Sequence, residues 1–197
     1  MDNWREVTRL VAEKKVDVGV AELTDAVLDD TLETELVAQH LGRYFCRPGH
    51  PILALPQASL ADLLKFPWAT NRVPPRMAAA FPPSLGAAGR FDPFNGEFIP
   101  AVEIDVPMQL ASLVSTSDVI ALGSFTMVEK ELEAGRLVVI HTPDLKFRAS
   151  YGFIYRKGRS LSPATLAFMH EFREEDKACG VREQRFERHY AARTPSR

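Results

Sequence analysis

The sequence predicts an α/β fold, and two observations carry that expectation. Short β-branched or aromatic runs alternate with stretches whose apolar residues recur every three or four positions, and Gly, Pro, Asp and Ser mark the changeovers. Such alternation argues for largely parallel sheets, in which ligands sit beyond the carboxyl ends of the strands.

Each element has a local reason. Trp4, Val7, Leu10 and Val11 share one helical face, with Asp2 as cap and Lys14 and Lys15 at the negative end. A strand is expected at Val16–Ala21 and another at Leu32–Val37. Tyr44-Phe45-Cys46 reads as a strand closed by the Pro48-Gly49-His50-Pro51 turn. Ser59 with Asp62 is a capping-box pattern opening a helix that Pro67 ends, and Trp68-Ala69-Thr70 is the next strand. Arg76–Phe81 suits a brief helix, and the Pro- and Gly-rich stretch after it, to Gly96, reads as the least ordered part of the chain. Beyond it come a strand at Phe98–Ile104, a helix with Asp105 as cap and Pro107 in its first turn, and a strand at Val119–Leu122. A helix over Phe125–Ala134 should stop at Gly135. Strands at Arg136–Ile140 and Tyr151–Arg156 precede a last helix, capped by Ser162, apolar at Thr165, Phe168, Met169 and Phe172, and stopped at Gly180. The tail 181–197, with Phe186 and Tyr190 at i,i+4 among alternating Arg and Glu, reads as a short docked helix or a frayed basic end.

Composition narrows the function classes. A net charge of −2 gives no general attraction to phosphate backbones, so direct nucleic-acid binding by this chain is not expected. The apolar runs are far too short to span a bilayer, and no leader pattern opens the chain, so a cytoplasmic location is expected. The two cysteines, Cys46 and Cys179, suggest neither a disulfide framework nor a zinc site, and both read as small packing residues. No GxSxG elbow, P-loop or GxGxxG is present, and His170-Glu171-x-x-Glu174 lacks the second histidine of HExxH. An enzyme is therefore not expected, nor a cofactor or metal. His50, in its Gly-His-Pro turn, reads as a turn-bracing or surface residue rather than a catalytic base.

Several stretches taken together resemble a known family. The passage Leu10-Val11-Ala12-Glu13-Lys14-Lys15-Val16-Asp17-Val18-Gly19-Val20 is similar to a helix-to-strand segment of LysR-type effector-binding domains, and Phe45 to Ile52 resembles that family's strand ending in a His-Pro turn. Leu113-Val114, Ser117 to Gly123, and Leu132-x-Ala134-Gly135-x-Leu137 resemble its later helix-strand-helix, in the same order. Ser124 stands where many relatives have proline.

The resemblance implies a two-lobed fold like that of type 2 periplasmic binding proteins, with a hinge and a ligand cleft between the lobes. It implies an outer lobe of residues 1–42 and 146–180, a middle lobe of residues 43–145, and hinges near Leu41–Arg43 and Leu145–Arg148. It implies too that the chain is N-terminally truncated, without the helix-turn-helix and the first strand, helix and second strand of the sensing domain. The function implied is effector sensing in a bacterial transcription regulator, as a homodimer; a stand-alone solute-binding protein of the same fold is the alternative.

The strand ends supply the candidate effector-binding residues: Glu22 and Thr24, Thr70, Asn71 and Arg72, Gly123, Ser124 and Phe125, and Arg148 near a hinge. Arg72 is a possible bidentate clamp for a carboxylate effector, helped by NH groups where helices begin after Asp105 and Ser124. Phe125 fits a core role equally, and Met108 and Met127 read as packing residues.

Overall fold

The computed structural model describes residues 4–23, 26–104, 106–142 and 148–191, the side chains of Leu28, Tyr190 and Ala191 apart. The chain divides into two compact units, residues 1–40 with 148–185, and residues 41–147 with 186–197. No helix among the described residues is long and apolar enough to cross a membrane.

In the first unit, α1 (Trp4–Ala12) buries Trp4 and Val11 and lies against β1 (Val18–Glu22). The close approach depends on Gly19, because a Cβ there would stand 2.4 Å from Val7 Cγ1. β10 (Arg148–Arg156) is the middle strand of three, between β1, with which it is antiparallel, and β2 (Leu32–Leu41). α6 (Pro163–Ala191) sets Phe168 and Phe172 against Phe153 of β10, and Arg173 reaches Glu35 of β2 with two bonds of 2.9 Å. The expected stop at Gly180 does not occur. Helical hydrogen bonding and the side-chain anchors on either side outweigh a glycine's modest helix penalty of about 1 kcal/mol, so residues 181–191 of the expected tail are the end of this helix, and 192–197 lie outside the described residues.

The second unit is built on a five-stranded sheet in the order β7-β4-β8-β3-β9. Its strands are β3 (Arg43–Cys46), β4 (Trp68–Thr70), β7 (Val102–Glu103), β8 (Ile120–Gly123) and β9 (Val138–Ile140). Their side chains alternate between two cores, as the two-residue period of a strand requires. Tyr44, Cys46, Trp68, Ile120, Leu122 and Ile140 enter one core, with Leu63 and Leu64 near α2 (Leu60–Leu63) and Ala78 of α3 (Pro75–Ala78). Phe45, Ala69, Ala121 and Val139 enter the other, with Leu110, Ala111 and Val114 of α4 (Pro107–Thr116) and Leu132 of α5 (Glu129–Glu133). Burial on both faces explains why these strands read as unbroken apolar runs.

Sheet direction corrects the sequence expectation. β4 runs parallel to β7 and β8, but β3 is antiparallel to both β8 and β9, so the sheet is mixed. The Pro- and Gly-rich stretch contains β5 (Gly89–Phe91), which forms an antiparallel ribbon with β6 (Phe98–Pro100). The expected strand Phe98–Ile104 is therefore two strands serving different sheets, separated at Ala101, just after Pro100, which has no N–H to donate. The helix expected over Phe125–Ala134 is a 3-10 turn at Phe125–Met127 followed by α5, and Gly135 closes it with φ 68°. Val106 occupies the cap position of α4; Asp105, the expected cap, lies one residue earlier and outside the described residues. The capping box of Ser59 and Asp62 is present in both directions.

Gly152 of β10 makes the tightest approach in the first unit: a Cβ there would lie 2.0 Å from Glu35 O and 2.9 Å from Val37 N. Both are backbone atoms of β2 and have nowhere to retreat. Gly152→Ala is expected to destabilise the protein by about 3 kcal/mol, the upper part of the usual range for overpacking, measured as a fall in the urea midpoint of the full chain.

Candidate functional site

Parallel pairing decides which expected residues meet. β4 and β8 are neighbours in register Trp68↔Ile120 and Ala69↔Ala121, so their carboxyl ends emerge side by side. Thr70, Asn71 and Arg72 leave one end while Gly123 and Ser124 leave the other. β7, parallel on the other flank, brings Glu103 opposite Thr70. β3 runs the opposite way, which puts its first residue, Arg43, opposite Gly123. His141 follows the last residue of β9 at this same end of the sheet.

The groups at this end are polar and mostly partnered. Thr70, 8% exposed, donates its hydroxyl to Leu122 O at 3.0 Å, tying the two strands at their exit. Ser124 Oγ lies 2.9 Å from Thr126 Oγ1; one hydroxyl proton serves that bond, which leaves the other free to turn toward a ligand. Asn71 is exposed. Arg72 donates through Nε to both Glu103 carboxylate oxygens, at 3.0 and 3.2 Å, and its Nη1 stands 3.6 Å from Oε2 of the buried Glu97. The bond to Glu103 is the main reason the Arg72 pKa is raised.

Arg43 and His141 were not singled out from sequence as binding residues. Arg43 bonds Glu187 at 2.9 Å and lies over the Phe125 ring at 5.9 Å. Burial, helped by the Arg43 charge, lowers the His141 pKa, so its ring stays neutral near neutral pH. The only early sign was the position of Arg43 beside an expected hinge.

Other expected residues fall elsewhere. Phe125 is core: it is 3% exposed, packed edge-on against Phe45 and stacked on Phe186 at 5.6 Å. Glu22 ends β1 opposite Tyr151, and exposed Arg148 begins β10; both belong to the first unit. Thr24 lies outside the described residues. The helix dipole expected after Ser124 is reduced to a three-residue 3-10 turn, which withdraws that source of anion attraction. Met108 is 78% exposed instead of packed, whereas Met127 packs against the second core.

His50 braces its turn as expected. It is 1% exposed, its Nδ1 accepts from Ile52 N at 3.1 Å, and its Nε2 lies 3.2 Å from Asp118 O. Cys46 is fully buried, and burial pushes its thiol up to about 12. A recess of about 590 Å³ opens elsewhere in the second unit among Leu60, Leu64, Lys65, Pro82 and Gly86. Its lining is largely apolar and Lys65 is already held by Asp62, so few polar groups converge there compared with the strand ends. Among the described residues no group of three His, Cys, Asp or Glu is placed to hold a metal ion.

Comparison with known proteins identifies the family. The family model for the LysR substrate binding domain matches residues 1–177. The SDS degradation transcriptional activation protein of a Pseudomonas strain is 33% identical over 180 residues, which are 89% of this chain and 56% of that protein. The chain thus spans a little over half the length of this curated relative. The regulatory domain of MetR from Neisseria meningitidis superposes with a TM-score of 0.62 at 16% identity, over 86% of this chain and 74% of that one. The bromide-bound regulatory domain of HypT from Salmonella typhimurium does so with a TM-score of 0.60 at 13% identity, over 90% and 80%. These likenesses show the two-lobed α/β fold, and the family match, reaching from the first residue into α6, shows that the chain belongs to the LysR substrate binding domain family.

Proposed function

We propose that this chain is the effector-sensing part of a LysR-type transcription regulator, and that its second unit receives a small polar effector at the carboxyl ends of β4 and β8. The observation that carries the reading is the pairing of those strands, which gathers Thr70, Asn71, Arg72, Gly123 and Ser124 from segments about 50 residues apart at one sheet end. The groups gathered there are hydrogen-bond donors and an exchangeable ion pair rather than a nucleophile with its base, which favours recognition over catalysis. The family match and the relative that activates transcription support a role in a regulator, with DNA contacted by another part of the protein, in the cytoplasm and as a homodimer.

The effector class follows from Arg72. Its partner Glu103 is 47% exposed, and an ion pair that open contributes little, so a carboxylate ligand can take the place of Glu103 on the guanidinium at small cost. The bromide-bound relative fits an anionic effector. We therefore propose a small carboxylate, with Asn71 and Ser124 donating beside Arg72.

Calorimetry with a carboxylate found by thermal-shift screening tests this. Arg72→Ala should weaken binding by roughly 10- to 150-fold, the equivalent of losing a charge-assisted bond, while Glu103→Gln should strengthen it by removing the competing carboxylate. Arg72→Ala should also lower the melting temperature, because Glu97 is 3% exposed and loses a cation; Glu103→Gln carries no such cost and separates binding from stability. Equal affinity in both variants removes Arg72 from the site. The isolated chain is further expected to show no specific duplex binding at physiological salt, checked by electrophoretic mobility shift on the regulator's own promoter.

A further inference from the structure

Four titratable side chains of the first unit, none of them used above, meet where α6 crosses the three-stranded sheet. His40 of β2 has Nδ1 2.8 Å from Glu183 Oε2, and Nε2 2.7 Å from the Tyr151 hydroxyl and 3.2 Å from Asp176 Oδ1. Tyr151 donates its own proton to Asp176. The imidazole is stacked on the Tyr151 ring at 4.9 Å, and the side chains of His40, Asp176 and Glu183 are only 11%, 12% and 15% exposed.

Counting protons fixes the charge state this geometry requires. A carboxylate only accepts, and the single Tyr151 proton is spent on Asp176. Each imidazole nitrogen therefore faces an oxygen with no proton to offer. Only the doubly protonated ring places an N–H on both sides; a neutral ring leaves a lone pair against Glu183 or against the Tyr151–Asp176 pair. The other charges nearby do not change this. On α6, Arg182 is engaged with Glu175 and with the Cys179 sulfur, and burial holds Cys179 protonated; on β10, burial and Asp176 hold Tyr151 protonated; the β2 neighbour Gln39 is uncharged and bonds Ser150.

The position of the cluster along the chain gives it a use. The chain leaves the first unit after His40, returns at Arg148 and leaves again after Arg185. His40 is the residue at the first crossing, Tyr151 follows the second by three residues, and Glu183 precedes the third by two. Every crossing thus carries one member of a single hydrogen-bonded group.

We propose that His40, Tyr151, Asp176 and Glu183 form a proton-operated latch that ties together the three chain crossings of the first unit, closed while the imidazole is charged and loosened when it is neutral. Glu183 is the main cause that raises the His40 pKa, against the opposing effect of burial. A raised histidine contributes stability that is complete below its unfolded value of 6.5 and is lost as pH rises through the folded value. The latch therefore opens on the alkaline side. Any effect on effector response rests on the sensing role proposed above, whereas the latch itself is tested with no effector present.

The test is a histidine titration by NMR on the full chain carrying 13C at histidine Cε1. One curve, absent from His40→Gln, should have its midpoint above 6.5 and move down toward that value in Glu183→Gln and in Asp176→Asn. Amide exchange, corrected for the intrinsic effect of pH, supplies a second reading between about pH 6 and about pH 9, either side of the ordinary histidine range. Residues 36–41 and 181–189 should lose protection with rising pH in the native chain and be poorly protected at both ends of that range in His40→Gln, a folded variant by circular dichroism. A His40 midpoint at or below 6.5, a midpoint unmoved by loss of either carboxylate, or protection independent of pH in the native chain overturns the latch.

Discussion

Burying the indole of Trp68 imposes the constraint on which the second unit is organised. The side chain is wholly inaccessible and must satisfy its one polar atom, which it does by donating to Leu63 O at 3.0 Å. Its ring is enclosed by Tyr44, Phe81 and Phe98, at centroid distances of 5.1, 5.5 and 5.6 Å, and each partner comes from a different part of the chain. Together these contacts fix where β3, the segment just after α3 and the β5–β6 ribbon stand around β4. With Trp68 held, Ala69 must face the opposite core, and Thr70 reaches the exit of the strand in position to bond Leu122. The polar cluster at the end of β4 is thus a consequence of how an aromatic core packs 2 to 4 residues earlier in the chain.

Electrostatics at that cluster are suited to exchange. Two arginines stand at the sheet end and both hold carboxylates, Arg72 with Glu103 and Arg43 with Glu187. Under the proposed reading, an arriving anion would meet cations already oriented and would compete with a tethered carboxylate rather than with bulk water alone. Competition of this kind would favour ligands that fill both fork positions of a guanidinium, and it would couple occupancy of the proposed site to release of the tethered carboxylate.

What was legible in the sequence was what is decided locally. The Ser59–Asp62 capping box, the span of β4, the turn-bracing role of His50 and the left-handed stop at Gly135 each depend on residues within a few positions of one another. Strand direction was not legible, because an apolar run buried on both faces reads the same whichever way its neighbour points. Nor were the partners of Arg72: Glu97 and Glu103 lie 25 and 31 residues away, and one of them is buried inside the β5–β6 region that the prolines and glycines disguised as loop. His40 is separated from Tyr151, Asp176 and Glu183 by 111, 136 and 143 residues, so that cluster exists only once β2, β10 and α6 have assembled. Family resemblance implied the two lobes and the hinge between them, but it carried no information about these particular charges.

The helix that runs on past Gly180 has an uneven stiffness built into it. A side chain at this position would meet no atom within 4 Å, so close packing is not what requires the glycine. Its cost is the roughly 1 kcal/mol by which glycine falls short of alanine in a helix interior. The residues before it are clamped by the aromatic contacts of Phe168 and Phe172, and those after it by Glu183, Phe186 and Glu187. Between two anchored stretches, Gly180 is the least helix-favouring residue, so the turn around it is the one held by the weakest intrinsic helix preference while its neighbours are held by side-chain contacts.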